Sequence, residues 1–174
     1  MIETEKELCW NIFRELLPYY GKLVTPEFLR KTSLYIPNIE RIHPLIMGIF
    51  KPAWSEHALS IASMKTNPYA DKITPLSDGR SRIKYSPKKG DLDGAINASL
   101  FACLRDKEPV IVLEQVSYKN SKHGARYRLM GLGLIEDYDS EMNVFNIHHV
   151  DYKTMEMISN GINNEILYET VLSI

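Results

Sequence analysis

EPVIVLEQV at residues 108–116, RYRLMGLGLIEDY at 126–138 and NVFNIHHV at 143–150 decide how this chain folds. The first is a strongly apolar run of strand length. The second carries Gly131 and Gly133 inside a strand pattern, the mark of a bend or bulge. The third alternates apolar and polar residues, as a half-buried strand does. In sequence order they predict a meander of three strands. Successive side chains of a strand point to opposite faces, so of His148 and His149 one is expected buried and one exposed.

Working outward, residues 91–106 (DLDGAINASLFACLRD) predict a helix capped by Asp91 or Asp93, with Leu92, Ile96, Leu100 and Cys103 or Leu104 on one face. LIMGIF at 45–50 and HALSIAS at 57–63 are short, partly alternating strands around the turn-like KPAWSE. Residues 67–90 (NPYADKITPLSDGRSRIKYSPKKG) are too polar and too rich in Pro, Gly, Asp and Ser for a buried strand, and predict a long loop. At the N-terminus, 4–17 form an amphipathic helix with a Thr4–Glu7 capping box, and Thr25-Pro26 opens a second. Trp10 lies beside the apolar stripe of the first helix and reads as core. The organisation expected is a helical extension at 1–44, a β-rich domain at 45–155 and a helical segment at 156–174. This is an α+β chain with a curved sheet or small β-barrel and flanking helices.

Composition sets outer bounds. The 174 residues are 44% hydrophobic and 25% charged, values of a globular domain able to build a core. No run is long and apolar enough for a membrane span, and MIETEKELCW lacks the order of a signal peptide. Cys9 and Cys103 form no CxxC pair, so neither a disulfide framework nor a zinc site is indicated, and a cytoplasmic location is expected. The formal net charge of −1 hides a basic middle. Arg80, Arg82, Lys84, Lys88 and Lys89 crowd 79–90 without an acid, and Lys119, Lys122, Arg126 and Arg128 follow in 115–135. The acids gather toward the ends. Such polarity suits a phosphate backbone on one face, or two solvated loops.

No catalytic signature is present: HExxH, GxSxG, GxxxxGKS and GxGxxG are all missing. Glu114 with Lys119 lacks a second acid at nuclease spacing and reads as structural, and both cysteines read as core. Neither a metal nor a cofactor is indicated.

Several phrases in order do resemble a known family. MGIFKPAWSEHALSIASMKTNPYADK, IKYSPKKG, INASL, KEPVIVLEQV and RYRLMGLGLIEDYDSEMNVFNI resemble the SRA (SET- and RING-associated) domain across roughly residues 47–150. The GIFKP…SEHALSI phrase is similar to SRA-like modules fused to HNH-type endonucleases in bacterial modification-dependent restriction. Where the eukaryotic family has Ala-Gly-Gly before its first pocket tyrosine this chain has Thr66-Asn67-Pro68, and after the second it has Ser86-Pro87-Lys88-Lys89-Gly90.

The resemblance implies a PUA-like fold that binds duplex DNA and swings one 5-modified cytosine out of the stack. By position, Tyr69 and Tyr85 would sandwich the base, Asp71 would accept from its amino group, and Ser86 would shape the space near the 5-substituent. Arg80, Arg82, Lys84, Lys88, Lys89, Lys119, Lys122 and Arg126 would meet phosphates. The expected partner is double-stranded DNA containing modified cytosine, in a bacterial cytoplasm and near the nucleoid. Cleavage would come from a fused or associated nuclease, and a homodimer is left open. Two other readings stay open: a PUA-like module for RNA or modified nucleosides, and a base-processing enzyme such as a glycosylase using Asp71.

Overall fold

The computed structural model is described at residues 4–44, 48–64, 72–76, 80–90, 92–118, 120–122, 124–150, 154, 156–157 and 169. The strongest apolar run becomes β6 (Val110–Ser117), and its first residues are buried on both faces of a sheet. Around it the chain order is α1 (Glu5–Glu15), β1 (Leu23–Val24), α2 (Pro26–Arg30), β2 (Ile49–Phe50), β3 (Ser60–Ser63), β4 (Lys72–Pro75), β5 (Ser81–Tyr85), α3 (Ala95–Asp106), β6, β7 (Arg126–Asp139) and β8 (Val144–His149). The fold is mixed α+β, as expected. Its sheet runs β2-β3-β6-β7-β8-β5-β4, with β1 paired to β7.

β7 holds the sheet together. Its first half pairs with β6, from Arg126 opposite Ser117 to Gly133 opposite Val110. Its second half pairs with β8, from Gly133 opposite His149 to Asp139 opposite Val144. The two expected glycines lie where the partners change. Gly131 has φ +134, a conformation that side chains avoid, beside a register shift between Val112 and Leu113. At Gly133 a Cβ would lie 2.7 Å from Ile147 Cγ2 and 2.8 Å from Val112 Cγ2, so the neighbouring strands close over it.

Each face of the sheet has its own core. On one, Phe13 and Leu16 from the N-terminal segment meet Phe28 and Leu29 of α2, and Leu59, Ile111, Leu113, Leu129, Leu132 and Leu134. On the other, Leu100 and Cys103 of α3 meet Ile61, Ile83, Val110, Val112, Phe145 and Ile147. The N-terminal helices therefore share a core with the sheet. The Thr4 capping box and the Thr25 cap both form, and Trp10 is buried edge-on to Phe13.

Three expectations change. Residues 67–90 include a strand pair, β4 and β5, joined in register from Lys72 opposite Lys84 to Pro75 opposite Ser81. The signal was faint because β4 is an edge strand with Ile73 as its one large apolar residue. Both His148 and His149 are buried, since β8 lies between β7 and β5 with a core on each face. Helix α3 begins at Ala95 with Gly94 as its cap and no capping side chain, rather than at Asp91 or Asp93. Most of 156–174 lies outside the described residues.

Candidate nucleic-acid interface

β5 alternates strictly. Ser81, Ile83 and Tyr85 point inward while Arg82 and Lys84 point out. The outward set continues onto β4, where the exposed Lys72 stands directly opposite Lys84 and Thr74 opposite Arg82. Like charges at directly opposed positions of an antiparallel pair repel, at a cost of a few tenths of a kcal/mol. Arg82 has a partial counterweight in Glu136, 3.6 Å away. Beyond Tyr85 the chain leaves the sheet with Ser86 half-buried, Pro87 buried, and Lys88 and Lys89 exposed.

Asn97 holds that exit segment in place. Its side-chain oxygen accepts from the Lys88 N–H at 2.7 Å, and its amide donates to the Lys88 carbonyl at 2.8 Å. Both backbone groups of Lys88 are thus fixed by one buried residue of α3, leaving its side chain to solvent. The Asn-Ala-Ser-Leu phrase carried the family resemblance but no role for Asn97. No sequence signal marks this contact, since its partner is backbone.

The sequence-derived site residues fall into groups. Arg82, Lys84, Lys88 and Lys89 share the exposed border formed by β5 and the segment after it. Arg80 does not join them: it is only 5% exposed, its Nη1 3.5 Å from His148 Nε2. It precedes β5 and turns inward, so it is no solvent-facing cation. Lys122 is exposed in the β6–β7 connection, and Arg126 is half-buried with its guanidinium donating to the Ala125 carbonyl at 2.9 Å. Tyr69, Asp71 and Lys119 lie outside the described residues.

Tyr85 is 3% exposed and belongs to the core beneath α3. Its hydroxyl donates to the Gly48 carbonyl at 2.8 Å and lies 3.3 Å from that of Ala62. Gly48 has to be small here, because a Cβ would sit 2.7 Å from that hydroxyl oxygen. In this conformation the ring is closed to a ligand. Stacking on it requires exposure on binding.

Both cysteines lie in the core, and Glu114 lies on the β6–β7 ladder. Cys9 and Cys103 are buried; burial pushes the Cys9 thiol up to about 12 and the Cys103 thiol higher still, so neither is a nucleophile at neutral pH. Glu114 lies 4.0 Å from Arg128 across the β6–β7 ladder. Trp54 is 45% exposed in the turn between β2 and β3, on the rim of a cleft of about 440 Å³ lined by Leu8, Ile12, Ile39 and Phe50. Glu56, His57 and Asp106 bring ligand-type atoms within 4.8 Å of one another, but Arg105 and His57 already occupy their oxygens.

No family model matches this sequence, and no curated protein matches it. Among solved structures the chain is similar to the SRA domain of SUVH5 in complex with methylated CHH DNA, with 23% identity over 75% of this chain and 88% of that one, at a TM-score of 0.45. It is also similar to KRYPTONITE in complex with mCHH DNA, H3(1-15) peptide and SAH, at 17% identity over 74% of this chain and 30% of that one, TM-score 0.45. The modification-dependent TagI restriction endonuclease is a third, at 18% identity over 76% of this chain and 49% of that one, TM-score 0.45.

Proposed function

We propose that this chain is a non-catalytic DNA-reading module that docks on duplex phosphates and accepts one 5-modified cytosine swung out of the helix. The observation that carries the reading is the cation border: Lys72 and Lys84 face each other on one strand pair, and Lys88 and Lys89 follow on a segment that Asn97 clamps. Cations set against one another on a rigid scaffold gain from an anion that neutralises them together, and a phosphate backbone offers such charges in a row. Lys119, Lys122 and Arg126 would extend the contact from the β6–β7 connection. Arg80, being buried, is set aside from it.

The base would stack between Tyr69 and Tyr85, the latter once its buried ring is exposed on binding, with Asp71 accepting from the cytosine amino group and Ser86 beside the 5-position. Unstacking a base costs a few kcal/mol, and stacking on aromatic rings contributes about 1–3 kcal/mol per base toward offsetting it. Cleavage, in this proposal, belongs to a fused or associated nuclease.

The test is a set of binding isotherms at fixed salt. Duplexes identical except for cytosine, 5-methylcytosine or 5-hydroxymethylcytosine are compared with an RNA of the same sequence. The expected result is preference for one modified duplex, with Tyr69→Ala weakening that preference by about 1–3 kcal/mol. Preference for RNA would favour a PUA-like RNA module, and release of free base would favour a glycosylase. Either result, or indifference to the 5-substituent, overturns the proposal.

A further inference from the structure

At the opposite end of α3 from the Asn97 clamp, three separate parts of the chain meet at one imidazole. His57 Nδ1 lies 2.6 Å from Glu5 Oε1 in the first turn of α1, and its Nε2 lies 2.7 Å from Asp106 Oδ2 at the end of α3. A neutral imidazole has one N–H and one bare nitrogen. It cannot donate to two carboxylates at once, so the pair of contacts needs one proton more than a neutral ring and two ionised acids supply.

The other donors say where that proton sits. Asp106 also accepts two bonds from Arg105, at 2.9 and 2.6 Å, and Glu5 accepts from the Ser55 hydroxyl. Donors aimed at a carboxylate favour its ionised form. The extra proton therefore resides on the ring. We infer that His57 is a doubly donating imidazolium that latches α1 to α3 through the 51–59 turn, and that this latch is released as pH rises.

The surroundings agree. The charged groups facing the ring are Glu5 from α1, Glu56 from the turn, Arg105 and Asp106 from α3, and Glu108 just after it. Acids outnumber the guanidinium, leaving a place for a second cation. The side chain of His57 is 13% exposed, against 33% for Glu5 and 38% for Asp106, so the ring is the sheltered member. Burial alone would lower its pKa, but the hydrogen bonds to Glu5 and Asp106, with the charges of Glu5 and Glu108, raise it overall. Arg105 and His57 hold the Asp106 carboxyl well below its usual range. For Glu5, burial opposes ionisation, and the bonds from Ser55 and His57 outweigh it. The next residue is tied to α3 as well: the Ala58 N–H donates to the Ser99 carbonyl at 3.3 Å, and Cys103 Sγ donates to the Ala58 carbonyl at 3.5 Å.

The direction follows from linkage. A group whose folded-state pKa is raised stabilises fully below its unfolded pKa, near 6.5 for histidine, and loses that contribution as pH climbs through the folded value. The inference does not depend on DNA binding. It is tested on the intact chain by following the His57 ring resonances by NMR across pH, with and without Glu5→Gln. The expected result is a ring still protonated above the ordinary histidine range, with its midpoint lowered by Glu5→Gln. A ring that titrates at or below that range, or a midpoint that ignores Glu5→Gln, overturns the inference. Thermal unfolding gives a second readout. His57→Gln should lower Tm by about 2–4 °C at acidic to neutral pH, with the gap closing as pH rises. A gap of constant size would mean a merely structural histidine. Should that variant fail to fold, the NMR titration of the unsubstituted chain still decides.

Discussion

β6 and β5 are strands of one sheet under opposite demands. β6 lies between β3 and β7, and Val110 to Leu113 are buried whichever way their side chains point. β5 lies next to the edge, and every second residue faces water as a cation. The first strand is fixed by what it excludes, and the second divides its side chains between a core and solvent. The difference teaches that core and exposed charge are separated along the sheet; under the function proposed above, a substitution should therefore disturb stability or binding without the other.

The largest effect that could break this comparison is expected in β6. Leu113→Ala removes a fully buried side chain from the core beneath the N-terminal helices and should cost about 2–5 kcal/mol in denaturant unfolding. A smaller loss would mean that the sheet centre is less tightly filled than its burial indicates.

Between the two regions stands Asn97, buried like a core residue yet serving the cation border. Asn97→Ala should cost about 1–3 kcal/mol, because it leaves the Lys88 N–H and carbonyl without their side-chain partner. It should also weaken DNA binding although its side chain faces away from solvent. Calorimetry beside a binding titration would show whether the two losses travel together. A stability loss with unchanged binding would detach the clamp from recognition.

The smallest effect on stability is expected at Lys84. Lys84→Ala should shift stability by no more than about 0.5 kcal/mol, on the favourable side if relief of its repulsion with Lys72 dominates. The same change should weaken all duplexes alike and reduce the slope of log K against log salt by about 1. Altered base preference would break the division between docking cations and base pocket.

Legibility followed the same division. β6, β7, β8 and the N-terminal helices could be read because their apolar residues recur at strand or helix spacing, and a covered sheet requires many of them. β4 and β5 were hidden because this strand pair at the end of the sheet has only Ile73, Ile83 and Tyr85 as large apolar residues, and the Pro, Ser and Asp around them read as loop. The cations of the site were visible as charge. What could not be read was orientation: Arg80 and Arg82 look alike in sequence, and only the start of β5 sends one inward and the other out. Asn97 was visible as part of a phrase, but its partner is a peptide group nine positions earlier. The two histidines of β8 were misjudged because alternation separates faces but does not reveal that both are covered.

The parallel pairing of β3 with β6, from Ser60 opposite Ile111 to Ser63 opposite Glu114, has a consequence for how such a chain can change. In chain order β4, β5, the clamped lysines and α3 all fall between two neighbouring strands, as one long excursion that crosses to the other end of the sheet, pairs there with β8, and returns beside its point of departure. Doubling the length of a flexible connection costs only about 0.6 kcal/mol in closure entropy. Insertions near the tip of the excursion therefore tax the fold lightly. New contacts can be tried there while the strands on either side keep their register.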